Sequence, residues 1–401
     1  MFKKLLILII TAFVDMVGLL MILPLMPFYA RTLGASSLMV TLLIVSFTAA
    51  QLVSAPMWGR FSDRYGRRPA LLVGLGAAAI AYVVFAFANS LWLLLLSRLV
   101  QGAGGGTVGV IQAYVADSTD SKNRAKALGW LSAATNVGVA LGPPLGSLAL
   151  LAGRSGPGLA AAGLCIINMA FAWKFLEESA ELAGKHVAQK PRASRTALAH
   201  VITHAREPGP RLIWIYAIAM GAFSGMSAIL ALFLMDRFGI TERRIWIFFT
   251  YIGTISVVTR AGVLGWAVDK VGEAQLSRIG LVLLSTGLFA FPFVHNYALL
   301  AITIACIPLG TAFTFPCVTS LLSRVIPKNE RGLYMGVQQA YGGIARVIVP
   351  LWAGFSYDHF GKNIPFITSS LLVLGSLFLN FGIDDGRKVK SQSEVVGEAA
   401  V

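Results

Sequence analysis

The chain is organised around a short basic segment, Gly59-Arg60-Phe61-Ser62-Asp63-Arg64-Tyr65-Gly66-Arg67-Arg68-Pro69, which is predicted to form a loop between two long apolar runs. A weaker copy, Gly265-Trp266-Ala267-Val268-Asp269-Lys270-Val271-Gly272-Glu273, separates two further apolar runs. Each copy reads Gly, three residues, Asp, a basic residue, one residue, Gly. A motif repeated at this long spacing predicts that the chain consists of two similar halves.

Further matched pairs support the repeat. The two motif aspartates, Asp63 and Asp269, lie 206 positions apart. Three more pairs are 207 positions apart, namely Arg124 with Arg331, Gly129 with Gly336, and Pro143 with Pro350.

Composition identifies the class of protein. Of the 401 residues, 56% are hydrophobic and only 13% are charged, whereas a soluble domain has about 25% charged residues. Apolar runs of about twenty residues recur along the chain, which is typical of a multi-pass membrane protein. The runs do not alternate polar and apolar residues, so they predict helices rather than barrel strands. The predicted fold is therefore an all-α membrane protein with 12 transmembrane helices in two pseudo-symmetric six-helix bundles.

The repeat also divides the chain. The N-terminal bundle is predicted at 1–173 and the C-terminal bundle at 212–383, with a linker at 174–211 that includes an amphipathic surface helix and a polar tail at 384–401. The predicted spans are 5–27, 37–58, 70–88, 91–116, 125–151, 157–174, 212–235, 245–267, 279–295, 298–322, 333–355 and 364–383.

The net charge of +15 does not indicate a nucleic-acid partner, because most Lys and Arg residues lie in loops on one side of the predicted membrane. The positive-inside rule places that side, and both termini, in the cytoplasm. The three cysteines lie within apolar runs and are expected to be reduced packing residues. No metal cluster, phosphate-binding loop or nucleophile constellation is found, which argues against an enzyme or an ATP-driven pump.

Six plus six helices and the basic segment between helices two and three resemble the major facilitator superfamily. The resemblance implies secondary transport by alternating access, with the proton gradient in place of a cofactor and with a functional monomer in a bacterial cytoplasmic (inner) membrane. In that family the basic loop locks the outward-open state. The resemblance implies gating roles for Gly59, Asp63, Arg64, Gly66, Arg68, their partner Asp117 and, in the second copy, Asp269. The alternative is that these basic residues only determine topology.

Helix five carries a longer pattern, formed by Gly129, Gly138, Gly142, Pro143 and Gly146. It resembles the antiporter signature of the drug/proton branch, which includes tetracycline and multidrug efflux proteins, with Ser147 in place of a final Gly. Gly and Pro at these positions are expected to bend the helix and to pack it against a helix of the other half. Generic small-residue packing is the alternative.

Two charged residues fall inside predicted spans near the membrane centre. Asp15 is ten residues from the start of helix one, which corresponds to a depth of roughly 15 Å. Arg98 lies in helix four, at a position that the family links to proton transfer. Asp15 is predicted to exchange a proton for substrate, with Arg98 assisting, because intramembrane ionisable residues usually serve function. The alternative is a structural pair between the two residues.

The substrate is less well specified. The predicted cavity residues are Gln112, Asn136, Tyr251, Gln338, Tyr341 and Arg346, and a broader set includes Gln51 and Tyr82. Helix three reads Ala79-Ile80-Ala81-Tyr82 and lacks the acidic residue of tetracycline exporters, which argues against that substrate. We expect proton-coupled export of small amphiphilic compounds. The alternatives are a symporter or uniporter of a nutrient, organic anion or lipid, and a membrane receptor that transports nothing.

Overall fold

The structure is a computed structural model that describes residues 2–119, 121–178, 191–327 and 329–383. The described chain is helical and contains sixteen α-helices: α1 Phe2–Ile22, α2 Met26–Thr32, α3 Ser37–Tyr65, α4 Arg67–Ala86, α5 Leu91–Gly104, α6 Thr107–Ser118, α7 Ser121–Ala149, α8 Gly156–Phe175, α9 Pro191–Thr203, α10 Pro208–Phe238, α11 Ile245–Val258, α12 Leu264–Val271, α13 Glu273–Ala290, α14 Tyr297–Val325, α15 Arg331–His359 and α16 Ile364–Asn380. The predicted tail at 384–401 and part of the linker, 179–190, lie outside the described residues.

All twelve predicted spans are helical. Ten helical segments of the described chain are long and apolar enough to cross a membrane, and α16 is a shorter apolar helix of 17 residues. The remaining helix, α15, has 29 residues but carries Gln338, Gln339 and Arg346 in its middle turns. The predicted all-α membrane fold is therefore confirmed, and α9 supplies the helix expected in the linker.

Three predicted spans are interrupted. Helix one stops at Ile22 and resumes at Met26, on either side of Pro24, which has no N–H to donate. Helix four stops at Gly104 and resumes at Thr107. Helix eight contains one π-helical turn, Thr259–Val263. Such turns often mark functional positions.

The basic segment 59–69 is not a loop, and that prediction was wrong. Residues 59–65 continue α3, because they contain no proline and their aromatic rings pack along the helix, with Phe61 and Tyr65 centroids 4.9 Å apart. The helix ends at Gly66, which has φ +105° and donates its N–H to the Ser62 carbonyl at 3.0 Å. Since α4 starts at Arg67, a single glycine forms the whole turn.

The described residues group into two compact units. The first comprises Met1–Ala188, Ser224–Val257 and Arg346–Pro365, and the second comprises Gln189–Phe223, Val258–Ala345 and Phe366–Val401. These units follow spatial contacts and do not coincide with the repeat-based division at 174–211. In the first unit α1 packs on α7 and α8, α4 packs on α5 and α8, and α3 packs on α5.

Connections between consecutive spans alternate between two sides of the membrane. We call the side with Gly66 and the 174–211 segment the linker side, and the opposite side the far side. Within the first unit, far-side ends from both sequence repeats touch. The Asp358 carboxylate accepts hydrogen bonds from the backbone N–H groups of Ser37 (3.0 Å) and Leu38 (2.8 Å), and Gly354 lies directly against Thr41.

In the second unit, α13 packs closely on α14. A β-carbon placed on Gly280 would lie 2.7 Å from the Gly310 carbonyl oxygen, so this pair of glycines allows close approach. The linker helix α9 is held on α10 and α15, because Trp214 donates to the Val201 carbonyl at 3.2 Å and Tyr341 donates to the Leu198 carbonyl at 2.9 Å.

Candidate functional site

A cavity of about 300 Å³ lies within the first unit, beside the middle of α1 and the break between α5 and α6. The α4 and α5 helices approach closely there, since a β-carbon on Gly104 would lie 2.7 Å from that of Ala77. The polar side chains that line the cavity are Asp15, Thr48, Gln51, Tyr82, Gln101, Thr107 and Arg346.

Asp15 is the only acid among the residues that line this cavity. Its Oδ2 accepts a hydrogen bond from the Thr107 hydroxyl at 3.0 Å. Thr107 is the first residue of α6, so the interruption after Gly104 places a helix N-terminus next to the carboxyl group. A helix N-terminus favours a negative charge, and this arrangement holds Asp15 in place without a salt bridge.

Arg98 is only 1% exposed and lies at the end of a polar chain. It donates from Nη1 to Gln101 Oε1, and Gln101 in turn donates from Nε2 to the Tyr82 hydroxyl at 2.6 Å. The guanidinium also lies 5.0 Å from the centre of the Phe47 ring. The structure therefore shows no Asp15–Arg98 pair, and that alternative was wrong.

The guanidinium of Arg98 also faces a second, smaller space. Its Nε and Nη2 atoms are buried and have no hydrogen-bond partner in the described protein. Arg98 is also one of the residues that line a cavity of about 150 Å³, together with Ser224, Ser227 and Phe249. An unpaired buried donor is costly, so this space suits a hydrogen-bond acceptor.

Arg67 is the centre of the basic segment on the linker side. Its side chain is 4% exposed, and it pairs with Asp63 (2.7 Å) and Asp117 (3.1 Å) and donates to the Ser62 hydroxyl at 2.9 Å. The basic gating residues predicted from the sequence were Arg64 and Arg68. The missed signal was the position of Arg67, four residues after Asp63 and directly after the turn glycine.

The other basic residues make local contacts. Arg64 lies over the Tyr65 ring at 5.3 Å, and Arg68 donates to the Trp173 carbonyl. Gly59 is exposed and has open space around it. Of the gating residues predicted around the first copy of the motif, Asp63 and Asp117 lie in one cluster, because both form ion pairs with Arg67.

The end of helix six is attached to this cluster by Glu178. Its Oε1 accepts hydrogen bonds from the backbone N–H of Arg67 (2.8 Å) and, more weakly, of Arg68 (3.4 Å). The same carboxyl group occupies the space that a side chain at position 66 would need, because a β-carbon added to Gly66 would lie 2.7 Å from Glu178 Cδ. Gly66 is therefore required both for its positive φ and for space.

The second copy of the motif repeats this geometry with the charges exchanged. Gly272 has φ +87° and donates its N–H to the Val268 carbonyl at 2.9 Å. The next residue, Glu273, pairs with Arg324 at 2.6 Å. These residues correspond to Arg67 and Asp117, 206 and 207 positions earlier. Asp269 is exposed and does not take part in the pair.

The glycines of helix five face helix one of the same half. A β-carbon on Gly138 would lie 2.9 Å from the Phe13 carbonyl oxygen, one on Gly142 would lie 2.6 Å from Leu20 Cβ, and Gly146 lies against the Met21 backbone. The prediction that these glycines pack against the other half was wrong, since their spacing matches the surface of α1. Pro143 lies within α7, and a β-carbon on Gly129 would meet no other element of the described chain within 4 Å.

Of the six predicted cavity residues, only Arg346 lines the cavity around Asp15, as do Gln51 and Tyr82 of the broader set. The reason is helix rotation, which hydropathy does not specify. The other five lie elsewhere: Gln112 is exposed on α6, Asn136 donates to the Ser132 carbonyl, Tyr251 is 37% exposed, Gln338 is buried beside Thr319, and Tyr341 donates to the Leu198 carbonyl.

A helical membrane protein with an internal repeat and ionisable groups around a cavity beside the middle of its first helix has the architecture of a membrane transporter. The model of the Major Facilitator Superfamily matches residues 8–350 and 261–397. The chain therefore belongs to the major facilitator superfamily, whose members are transporters and not enzymes.

Known relatives cover almost the whole chain. The class B tetracycline resistance protein of Escherichia coli is 26% identical over 91% of this chain and 90% of its own length. Multidrug resistance protein 2 of Bacillus subtilis is 26% identical over 92% of both chains. Among solved structures, the human organic anion transporter MFSD10 superposes with a TM-score of 0.70 at 24% identity, covering 94% of this chain and 99% of that one.

Proposed function

We propose that this protein is a proton-coupled exporter of small amphiphilic compounds. The observation that carries the proposal is Asp15, the one acid among the lining residues of a buried cavity. A carboxyl group in this position can hold either a proton or a basic group of the substrate. Intramembrane carboxylates commonly serve as proton relays, and exclusive binding of the two ligands would couple their movements in opposite directions.

The relatives support export rather than uptake. Two are named as a multidrug resistance and a tetracycline resistance protein. The absence of an acid in α4 near Tyr82 disfavours metal-chelated tetracycline, so the proposed substrates are weakly basic amphiphiles.

The proposed cycle alternates access to the cavity from the two sides. Both termini and the linker side lie in the cytoplasm, the protein resides in a bacterial inner membrane, and a monomer is the functional unit. The Arg67 cluster and its partners act on the linker side as a gate, and the Asp358 contacts act on the far side.

Transport of organic anions is the second candidate, and it is favoured by Arg98. This residue has two buried donor atoms without a partner in the described protein and lines a cavity with Ser224 and Ser227, a suitable environment for a carboxylate. The solved structure of an organic anion transporter with the same fold is consistent with this candidate.

Substrate-induced proton release distinguishes the two candidates. Purified protein in weakly buffered detergent would be mixed with a panel of basic, neutral and carboxylate amphiphiles, and the released protons recorded with a pH dye. We expect a basic compound to release protons from wild type and from the control Asp269→Asn, but not from Asp15→Asn. Equal release from Asp15→Asn would refute the role of this residue. Binding of carboxylates only, lost in Arg98→Gln and without proton release, would favour the second candidate.

A further inference from the structure

Three potential metal ligands meet where the linker helix joins the second repeat. His200 is in the last turn of α9, and His204 and Glu207 follow before α10 begins at Pro208. One ligand atom of each residue lies within 4.8 Å of the others, and His200 Nε2 is 3.5 Å from Glu207 Oε2. The two imidazole rings are stacked with centroids 4.2 Å apart. No metal site was predicted from the sequence.

Hydroxyl groups occupy the Nδ1 side of both rings. The Thr203 hydroxyl lies 2.8 Å from His204 Nδ1 and 3.1 Å from the Ala199 carbonyl, to which it can donate. In the tautomer that carries its proton on Nδ1, His204 donates to Thr203 and keeps the Nε2 lone pair for a metal. The Tyr334 hydroxyl lies 3.2 Å from His200 Nδ1. Metal-binding histidines usually have their second ring nitrogen fixed in this way.

We propose that His200, His204 and Glu207 bind a divalent transition-metal cation of the Zn²⁺ type. Two imidazole nitrogens and one carboxylate are a ligand set that Zn²⁺ accepts, with water in the fourth position. Tetrahedral bonds of about 2.0 Å place ligand atoms about 3.3 Å apart, so the atoms must move closer by at most about 1.5 Å. Rotation of the exposed His204 and Glu207 side chains allows this movement.

The site joins three parts of the second unit. The ligands lie at the α9–α10 junction, and Tyr334 extends the contact to α15. Since the same linker helix is already held by Trp214 and Tyr341, a bound cation fixes α9 against both helices. This inference is independent of the proposed transport function, and its test does not measure transport.

Cobalt provides a direct test, because tetrahedral Co²⁺ absorbs visible light much more strongly than octahedral aqueous Co²⁺. Full-length protein in detergent, with any affinity tag removed, would be titrated with CoCl₂ and back-titrated with ZnCl₂. We expect one Co²⁺ per chain with tetrahedral absorption, displaced by Zn²⁺. His204→Gln and Glu207→Gln should abolish the tetrahedral bands, and Tyr334→Phe should weaken affinity about 10-fold. The matched control His359→Gln changes an exposed histidine in α15 that stacks on Phe355 and should bind as wild type does.

Three outcomes of these experiments would contradict the proposed metal site. Absence of tetrahedral bands in wild-type protein would refute the site, as would bands that persist in His204→Gln. Each variant would also be melted without metal to confirm folding. Zn²⁺ should raise the unfolding temperature of wild type and His359→Gln but not of His204→Gln, and an equal rise in all three would overturn the proposal.

Discussion

Removal of the Asp358 carboxylate is expected to weaken the far-side closed state. This side chain, at the end of α15, accepts hydrogen bonds from the first two backbone N–H groups of α3. The two helices come from different sequence repeats, so the contact must break if the cavity is to open to the far side. Asp358→Ala leaves both N–H groups without this acceptor.

The size of the effect follows from helix capping. Replacing an acceptor at a helix N-terminus by Ala costs about 0.5–2 kcal/mol, and a carboxylate adds about 0.3–1 kcal/mol through the helix dipole. These contributions overlap, because the same two hydrogen bonds carry both, so we take about 1–2 kcal/mol. That corresponds to roughly a 5–30-fold change in the closed-to-open ratio. The contact of Gly354 with Thr41 is retained, so the closed state is weakened and not abolished.

Distance measurements between two spin labels would detect the change. Labels attached at exposed far-side positions 152 and 363, after replacement of the three native cysteines by Ala, report separation of the helix ends. We expect the ratio of the long-distance to the short-distance population to rise about 5–30-fold in Asp358→Ala, whereas the control Asp269→Ala should match the parent protein. An unchanged distance distribution, or a larger short-distance population, would show that this contact does not hold the far side closed.

Three further predictions concern packing and ion pairs. Gly142→Ala should lower the unfolding temperature, because its β-carbon would lie 2.6 Å from that of Leu20 and overpacking costs about 1–3 kcal/mol. The control Gly129→Ala has open space at this position and should leave the unfolding temperature unchanged. Equal melting curves for the two variants would contradict the packing of Gly142 on α1. Arg67→Leu should lower the free energy of unfolding by about 1.5–3 kcal/mol, because hydrogen bonds to charged groups are lost. Arg64→Leu should lower it by less than about 0.5 kcal/mol. Denaturant unfolding measures both values, and a larger loss for Arg64→Leu would show that Arg64 and not Arg67 holds the cluster together. Glu273→Arg and Arg324→Glu should each destabilise the protein, because each places two like charges together. The double variant should recover about 0.5–3 kcal/mol of unfolding free energy, measured as the coupling energy of a double-mutant cycle. Strictly additive effects would show that the two residues do not interact.

Much of the fold was predictable because membrane spans have a strong sequence signal. Runs of apolar residues located all twelve helices, and one repeat offset matched both motif turns, at Gly66 and Gly272. The position of Asp15 in a cavity was predictable too, because an acid in the middle of an apolar run has few tolerable environments.

What the sequence did not reveal depends on helix rotation and on local breaks. Apolar runs continue through Pro24 and Gly105, so hydropathy does not show that the helices stop there. The side of a helix that faces a cavity is also hidden when all sides are apolar, which is why Tyr251 was selected and Thr107 was not. The central role of Arg67 depends on three-dimensional proximity to Asp117, fifty residues away.

The exchange of charge between the Arg67–Asp117 and Glu273–Arg324 pairs has a consequence for the history of the chain. If both halves descend from one duplicated ancestor, the ancestral pair had a single polarity, and one copy has since been reversed at both positions. Either single replacement would have placed two like charges within about 4 Å of each other, which is unfavourable even in a polar environment. The reversal is therefore expected to have passed through a neutral residue at one of the two positions. A reconstructed series of ancestral sequences should pass through an uncharged residue at one of these two positions.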